Sequence, residues 1–168
     1  MTNNDKKEQF LNALELNTGI IIKITGAYAQ TQEDRKDLMQ DIILELWKSF
    51  KRFDGSCKIS TWIYRISLNV SMNYKRKRKN TLVILSTNEF DEKDVTSILL
   101  MQEYLPELET LYSCIEELSQ INKAIILLYL DGYSHKEIFE ITGVSVTNVG
   151  TRIGRIKEEL RTKIRKNN

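Results

Sequence analysis

Apolar residues recur at intervals of three and four along much of this chain, and no other feature constrains the fold as strongly. This spacing forms one face of an α-helix, which turns once in about 3.6 residues. The clearest stretches lie within 34–51, 60–78 and 145–164. There is one proline in 168 residues, so little interrupts them. The spacing predicts an all-α fold.

The N-terminal part is predicted to hold three helices, over 18–29, about 34–51 and about 60–78. The first has little charge and is expected to be mostly buried. Thr31 with Asp34 predicts an N-terminal cap for the second helix, and Ser60 is the predicted cap of the third. The predicted core faces of the second and third helices are Leu38, Met39, Ile42, Ile43, Leu46, Trp47 and Phe50, and Ile59, Ile63, Ile66, Val70 and Tyr74.

The C-terminal part carries the signals of a helix-turn-helix. Ser119 begins a helix that Asp131-Gly132 ends, and Ser134 with Glu137 forms a capping box for a short second helix. Gly143 supplies a turn, after which Ser145 begins a long third helix. Three helices in about fifty residues, two of them around a turn that contains glycine, are typical of this motif.

The formal charge of +2 conceals a strong division along the chain. Residues 51–79 carry a net charge of +8 and residues 118–168 a net +4, whereas 80–117 carry −8. Basic blocks of this density attract phosphate backbones, although charged runs are also common as solvated faces. The division predicts two small helical domains, over 5–80 and 111–168, joined by an acidic linker over 81–110.

Several functional classes are disfavoured by what the sequence lacks. Two cysteines, Cys57 and Cys114, and one histidine, His135, are too few for a Cys/His zinc cluster or a disulfide framework. No phosphate-binding glycine loop or catalytic triad is legible. We therefore expect no catalytic residue, metal or cofactor.

No apolar run approaches the roughly 20 residues that cross a bilayer. The first residues do not resemble a secretion signal. A cytoplasmic chain without membrane insertion is therefore expected.

The last helix offers a polar face opposite its apolar stripe. In a helix-turn-helix, the second helix of the motif lies in the major groove of DNA. Arginine can bind guanine through two hydrogen bonds and asparagine can bind adenine, while threonine suits bases or phosphates. Lys157 lies farther along and would reach phosphate at most. The alternative is a structural or protein-binding unit with a solvated basic face. The residues predicted to face DNA are Thr147, Asn148, Thr151, Arg152 and Arg155.

The third helix carries a second polar stripe, in which an aromatic ring is interleaved with cations and amides. Rings that stack on bases and cations that hold the backbone are what single-stranded nucleic acid requires. Trp62 and Tyr64 could equally belong to the core. The stripe is Trp62, Arg65, Asn69, Asn73 and Arg76, with Lys58, Ser60, Thr61 and Tyr64 at the start of the helix.

The second helix has an acidic face formed by Asp37, Gln40, Asp41 and Leu44. Carboxylates beside an exposed leucine make a poor DNA surface but suit a basic protein partner. Simple solvation of these four side chains is the alternative.

These segments together resemble a known family. DRKDLMQDIILELW, the Phe53–Asp54 loop, KISTWIYRISLN and YKRKRK resemble region 2 of bacterial RNA polymerase sigma factors. DGYSHKEIFEITGVSVTNVGTRIGRIKEEL resembles region 4 of the same proteins. A short chain with only an acidic linker between the two is similar to the extracytoplasmic-function (ECF) group.

The resemblance implies a role for each candidate surface. Asp37, Gln40 and Asp41 would contact the clamp coiled coil in the largest subunit of core RNA polymerase. Phe53 and Asn69 would read the single-stranded non-template strand of the −10 element. The residues that would assist melting are Lys58, Ser60, Thr61, Trp62, Tyr64 and Arg65. Arg152 and Arg155 would read duplex DNA at the −35 element, with Lys157 as a third basic position. An anti-sigma factor is a further partner that the family implies.

Two other classes stay open. One is a helix-turn-helix repressor or activator that acts without polymerase, and the other is a small RNA-binding or protein-interaction adaptor. One departure from the family pattern concerns base reading: Gly150 and Gly154 stand where larger residues are common, and each glycine costs a helix about 1 kcal/mol relative to alanine.

Overall fold

The computed structural model describes the backbone of residues 3–77 and 108–167, and the side chains of 4–74 and 108–167. Within these ranges the regular structure is helical, without strands, so the all-α prediction is confirmed. The helices are α1 (Asn3–Tyr28), α2 (Gln32–Phe50), α3 (Ile59–Lys77), α4 (Glu109–Glu116), α5 (Gln120–Leu130), α6 (His135–Thr142) and α7 (Val146–Asn167).

The described residues divide into two compact units. Unit 1 holds 3–25 and 31–77, and unit 2 holds 26–30 and 108–167. The last residues of α1 thus group with unit 2, which the predicted boundaries do not anticipate. Most of the predicted linker, 81–107, lies outside the described residues, and its last residues already belong to the start of α4.

Helix α1 begins at Asn3, fifteen residues before its predicted start at position 18. Phe10, Leu14 and Ile21 are buried on one face of the helix. Thr18 continues this buried face, and its hydroxyl donates to the Leu14 carbonyl at 2.8 Å. The predicted helix starts at this threonine, so the prediction missed the turns that carry Phe10 and Leu14.

Helix α2 agrees closely with its prediction. The Thr31 hydroxyl accepts the N–H of Asp34 at 3.0 Å, and Glu33 and Asp34 add negative charge to the first turn, where the helix dipole favours it. The predicted apolar face is buried apart from Phe50, which is half-buried.

Helix α3 differs from its prediction in two respects. It begins at Ile59, so Ser60 lies inside the first turn and is not the cap. Of the predicted stripe only Ile63 is buried, and the core face is rotated towards Tyr64, Ser67, Leu68 and Ser71. The Ser71 hydroxyl donates to the Ser67 carbonyl at 2.7 Å, so this serine can face the core without an unsatisfied donor.

Unit 2 contains the predicted helix-turn-helix in α6 and α7. Its capping box is present, because the Ser134 hydroxyl accepts the Glu137 N–H at 3.2 Å while the Glu137 carboxylate accepts the Ser134 N–H at 2.8 Å. Gly143 ends α6 with φ +76°, a conformation that strongly favours glycine. Four helices, α4 to α7, contribute to the core of unit 2. Its buried residues include Ile115, Ala124, Ile125, Leu128, Ile138, Val149, Ile153, Ile156 and Leu160.

Candidate nucleic-acid interface

A cluster of five aromatic rings links the core of unit 1 to its surface. We call Phe10, Trp47, Phe50, Phe53 and Trp62 the ring cluster. Phe10 lies 5.1 Å from Trp47 and 5.2 Å from Phe50 between ring centroids. Phe50 in turn lies 6.4 Å from Phe53 and 6.1 Å from Trp62, and the last two rings are 5.1 Å apart.

The ring cluster is buried at one end and partly open at the other. Phe10 and Trp47 are buried, whereas Phe53 and Trp62 are half-buried. The two outer rings are therefore supported by inner rings rather than projecting freely. A ring held in this way can offer an exposed face or edge to a base at little cost in side-chain entropy.

The loop between α2 and α3 holds Phe53 in place. The N–H of Phe53 donates to the carbonyl of Phe50 at 3.1 Å, which continues the tight end of α2. The Asp54 carboxylate then accepts the N–H of Ser56 at 2.9 Å, and Gly55 turns with φ +74°. Hydrogen bonds from the backbone and side chain of Ser56 hold the pKa of Asp54 below its ordinary value.

The polar residues predicted around Trp62 are accessible to different degrees. Lys58, Asn69 and Asn73 are exposed, and Ser60, Thr61 and Arg65 are half-buried. The Asn73 amide donates to the Asn69 carbonyl at 2.8 Å, so part of its hydrogen-bonding capacity is already used within the helix. Arg76 lies in α3, but its side chain is outside the described ones.

Tyr64 is a correction to the predicted DNA-contacting set. Its side chain is 0% exposed, and its ring packs inside unit 1. The rotation of the core face of α3 explains this burial, because the rotated face includes Tyr64. Of the two alternatives left open for this ring, core packing is the right one.

The acidic face of α2 lies at the surface as predicted, although only part of it is freely exposed. Asp37 is exposed, and Gln40, Asp41 and Leu44 are half-buried. Leu44 therefore offers some apolar area beside the carboxylates, which is the combination that a docked protein can cover.

In unit 2 the predicted base-reading face lies on the first turns of α7. Ser145 begins the helix, with its hydroxyl accepting the N–H of Asn148 at 3.4 Å. The buried Val149, Ile153 and Ile156 fix which side of α7 faces the core. The opposite side presents exposed Thr147, Asn148, Thr151 and Arg155.

Arg152 differs from these exposed neighbours. It is half-buried, and its guanidinium Nη1 donates to the Oδ1 of Asn122 on α5 at 2.8 Å. Both residues line a groove of about 240 Å³ that Asn148, Thr151 and Arg155 also line. No pattern in the sequence signals this contact, which joins residues thirty positions apart.

Lys157 is also engaged within unit 2. Its ammonium lies 5.3 Å from the centre of the Tyr129 ring and donates to the Tyr129 hydroxyl at 3.4 Å. Farther along α7, Lys163 bonds to Glu117 at 2.6 Å, and this hydrogen bond raises the pKa of Lys163. Near the start of α7 Arg155 is exposed, whereas Arg152, Lys157 and Lys163 each bond to a residue outside α7.

Gly150 faces the first residue of α6. A Cβ atom at position 150 would lie 3.4 Å from Cε1 of His135, which is ordinary contact for one carbon. A longer side chain would have to pass the imidazole ring. The glycine therefore leaves room for the His135 ring beside α7.

Two classes of site are not found in the described part of the chain. No group of three or more His, Cys, Asp or Glu residues there could hold a metal ion. None of the helices described is long and apolar enough to cross a membrane.

Comparison with protein families gives two matches. The sigma-70 region 2 family matches residues 15–81, and the sigma-70 region 4 family matches residues 108–160. Together they cover most of the chain, in the order that the sequence resemblance implies.

Individual proteins agree with the family matches. The chain is 28% identical to the ECF RNA polymerase sigma-E factor of Haemophilus influenzae, over 84% of this chain and 82% of that protein. It is 27% identical to the protein of the same name from Escherichia coli K12, over 78% and 74%.

Two solved structures share the fold. The sigma factor RpoE from Bartonella quintana, in complex with the anti-sigma factor NepR, matches with a TM-score of 0.63 and 19% identity over 96% of this chain and 97% of that one. CnrH, in complex with the cytosolic domain of CnrY, matches with a TM-score of 0.65 and 18% identity over 96% and 91%.

Proposed function

Because this chain belongs to the ECF group of the sigma-70 family of bacterial sigma factors, we propose that its two units divide promoter recognition at the surfaces described above. The protein binds core RNA polymerase and directs promoter-specific initiation of transcription. In our proposal unit 1 acts at the −10 element and unit 2 at the −35 element. We propose these roles for the predicted domains over 5–80 and 111–168 and an acidic linker over 81–110, although unit 2 already includes residues 26–30 and 108–110.

The observation that carries the proposal is the partly open end of the ring cluster, whose outer rings belong to the basic stretch of sequence 51–79. Phe53 and Trp62 are half-buried and supported from below. A base taken out of the DNA stack costs a few kcal/mol, which ring contacts can offset. We assign the remaining contacts of the −10 strand to the polar residues around the rings: Lys58, Ser60, Thr61, Arg65, Asn69, Asn73 and Arg76.

Unit 2 supports duplex recognition through a different arrangement. The first turns of α7 carry the exposed Thr147, Asn148, Thr151 and Arg155, with Arg152 beside them in the groove. A helix that enters the major groove by its N-terminal turns would bring these residues to base edges. Lys157 is assigned at most a phosphate contact, because Tyr129 already engages its ammonium.

Two protein partners complete the proposal. The acidic face of α2 (Asp37, Gln40, Asp41 and Leu44) is assigned to the clamp coiled coil of the largest polymerase subunit. An anti-sigma factor is proposed as a regulator, since both structural neighbours are bound to another protein, one of them named as an anti-sigma factor. The chain itself is proposed to act in the cytoplasm and to catalyse no reaction.

Promoter-directed run-off transcription tests the proposal. Core polymerase with the purified chain should yield transcripts of defined length, and core polymerase alone should not. The same holoenzyme should protect both promoter elements from nuclease, whereas free chain should bind the same duplex weakly. Charge reversal by Asp37→Arg should reduce binding to core polymerase, with Glu8→Arg on an exposed position of α1 as the control.

A repressor or activator that acts alone predicts the opposite pattern. It would bind a symmetric duplex site tightly without polymerase, and it would not support run-off transcription by core enzyme. That result would overturn the proposal.

A further inference from the structure

We propose that Asn122 is a positioning residue that holds Arg152 in the orientation in which it reads a base of the −35 element. This inference rests on the proposed role of unit 2 and adds a residue outside the helix-turn-helix itself. Asn122 lies on α5, one helix before the motif. It is therefore absent from the face of α7 that sequence patterns identify.

The contact between the two side chains is direct. The Oδ1 of Asn122 accepts from Nη1 of Arg152 at 2.8 Å, well within hydrogen-bonding distance. Both side chains are half-buried, so water competes less for this bond than it would at an open surface. The contact lies in the groove that Asn148, Thr151 and Arg155 also line.

Asn122 is itself held by its surroundings. Its backbone N–H donates to the hydroxyl of Ser119 at the capped start of α5, at 3.4 Å. The residues that follow it, Lys123 and Ala124, are buried in unit 2. The amide oxygen thus projects from a fixed element, which is what a positioning group requires.

The chemistry of the pair suits base recognition. A guanidinium has five N–H donors in a planar fork, and guanine needs two of them for its O6 and N7 atoms. One bond to Asn122 leaves enough donors for that contact. A neutral amide also leaves the charge of the arginine intact, whereas a carboxylate at this position would neutralise part of it.

The neighbouring Arg155 provides an internal comparison. It is exposed at the surface of α7, whereas Arg152 is half-buried and bonded to Asn122. We therefore expect Arg152 to select a single base more strictly than Arg155, which has more freedom to exchange bases for phosphates.

Selection from a promoter library tests the inference on the assembled holoenzyme. Promoter fragments with a constant −10 element and a randomised −35 element are bound by holoenzymes that contain wild type, Asn122→Ala, Arg152→Ala or the double variant. Asn12→Ala, which changes an exposed amide on α1, is the control. Thermal unfolding checks each fold, and Asn122→Ala retains the backbone N–H that Ser119 accepts.

Arg152→Ala should reduce the preference at one base position by about tenfold, the order of a lost bidentate contact. Asn122→Ala should reduce the preference at that same position by about threefold to fivefold, with smaller changes elsewhere. In the Arg152→Ala background, Asn122→Ala should have no further effect. Asn122→Asp keeps the acceptor, so it should restore the preference while it weakens binding to all sequences.

Three outcomes would overturn the inference. An Asn122→Ala variant with unchanged preference would show that the bond does not position Arg152. Tighter binding to all sequences would show that the bond withholds Arg152 from DNA. A loss that adds to that of Arg152→Ala would assign Asn122 an independent role. If Arg152→Ala itself leaves every preference intact, the proposed −35 role of Arg152 fails instead, and the two failures are distinguished.

Discussion

Unit 1 and unit 2 support their candidate DNA surfaces in different ways. In unit 1 the outer rings Phe53 and Trp62 rest on rings that continue into the core. In unit 2 most of the candidate residues are exposed on α7, and hydrogen-bonded caps and the left-handed Gly143 set the position of that helix.

The difference matches the form of DNA that each unit is proposed to bind. An unpaired base carries no helical frame of its own, so the protein must supply a fixed platform. Duplex DNA has a regular groove, so accurate placement of one helix brings most of the candidate side chains to the bases, and Arg152 is held in addition by a side chain of another helix, Asn122. The comparison predicts that unit 1 is sensitive to loss of rings and unit 2 to changes in its turns and caps.

The largest effect is expected in the core of unit 1. Phe10→Ala should lower the free energy of unfolding of unit 1 by about 3–5 kcal/mol, because it removes the buried ring on which Trp47 and Phe50 pack. The two tryptophans of the chain both lie in unit 1, so the change in their fluorescence during urea unfolding reports this unit. Leu16→Ala, at a residue that is 86% exposed in the same helix, should change stability by less than about 0.5 kcal/mol.

The second largest effect is expected on promoter opening, when a ring at the open end of the ring cluster is removed. Trp62→Ala should slow promoter opening about tenfold or more, because a stacked base is worth about 1–3 kcal/mol. Permanganate reactivity of unpaired thymines measures opening. Competition for core polymerase measures assembly, which should stay close to wild type because Trp62 lies outside the face of α2 that is assigned to the clamp. Tyr64→Phe should leave opening unchanged, because that ring is buried. Equal loss of assembly and opening in Trp62→Ala would assign the ring to the fold.

A smaller effect, on the stability of unit 2, is expected when either of two glycines is replaced by alanine. Gly143→Ala should destabilise this unit by about 1–2 kcal/mol, since alanine at φ +76° is strained. Gly154→Ala should stabilise it by about 0.5–1 kcal/mol, because position 154 is helical and has open space around an added Cβ. Hydrogen exchange of the amides in α6 and α7 measures both. Equal effects of the two substitutions would contradict a role for the turn conformation.

The smallest effect concerns the loop that holds Phe53. Because the hydrogen bonds of Ser56 lower the pKa of Asp54, the carboxylate stabilises the folded loop at pH values above its ordinary pKa of 3.8. This contribution is lost as the pH falls through the lowered pKa. An NMR titration should find a midpoint below 3.8 in the native chain and a partial rise in Ser56→Ala, which keeps the backbone N–H. A native midpoint at or above 3.8 would contradict the stabilisation of the Asp54 carboxylate by Ser56.

The features that were predictable from the sequence are those that short-range chemistry decides. An N-terminal cap, in which a hydroxyl accepts the N–H three residues later, depends only on a few neighbouring residues. Such caps are present at Thr31, Ser134 and Ser145. The same holds for Gly143, whose conformation is local. These signals located the helix-turn-helix and the exposed side of α7.

The features that were missed depend on contacts between distant segments. Phe10 supports a surface formed by residues about forty to fifty positions later, and nothing near it in the sequence indicates that role. The rotation of α3 escaped prediction because Ser71 satisfies its hydroxyl within the helix and can therefore face the core. The hydrogen bond between Asn122 and Arg152 joins α5 to α7, across thirty positions of sequence.

The place of His135 beside Gly150 bears on attempts to change the promoters that this protein selects. Exchanging α7 for a helix with a larger residue at position 150 would place that side chain against the imidazole ring. A long side chain at position 150 would displace the exposed ring of His135 or tilt the transplanted helix, and only the tilt would alter how α7 enters the major groove. We therefore expect a chimera that takes positions 135 and 150 from the same donor to keep the position of α7 better than one that takes position 150 alone.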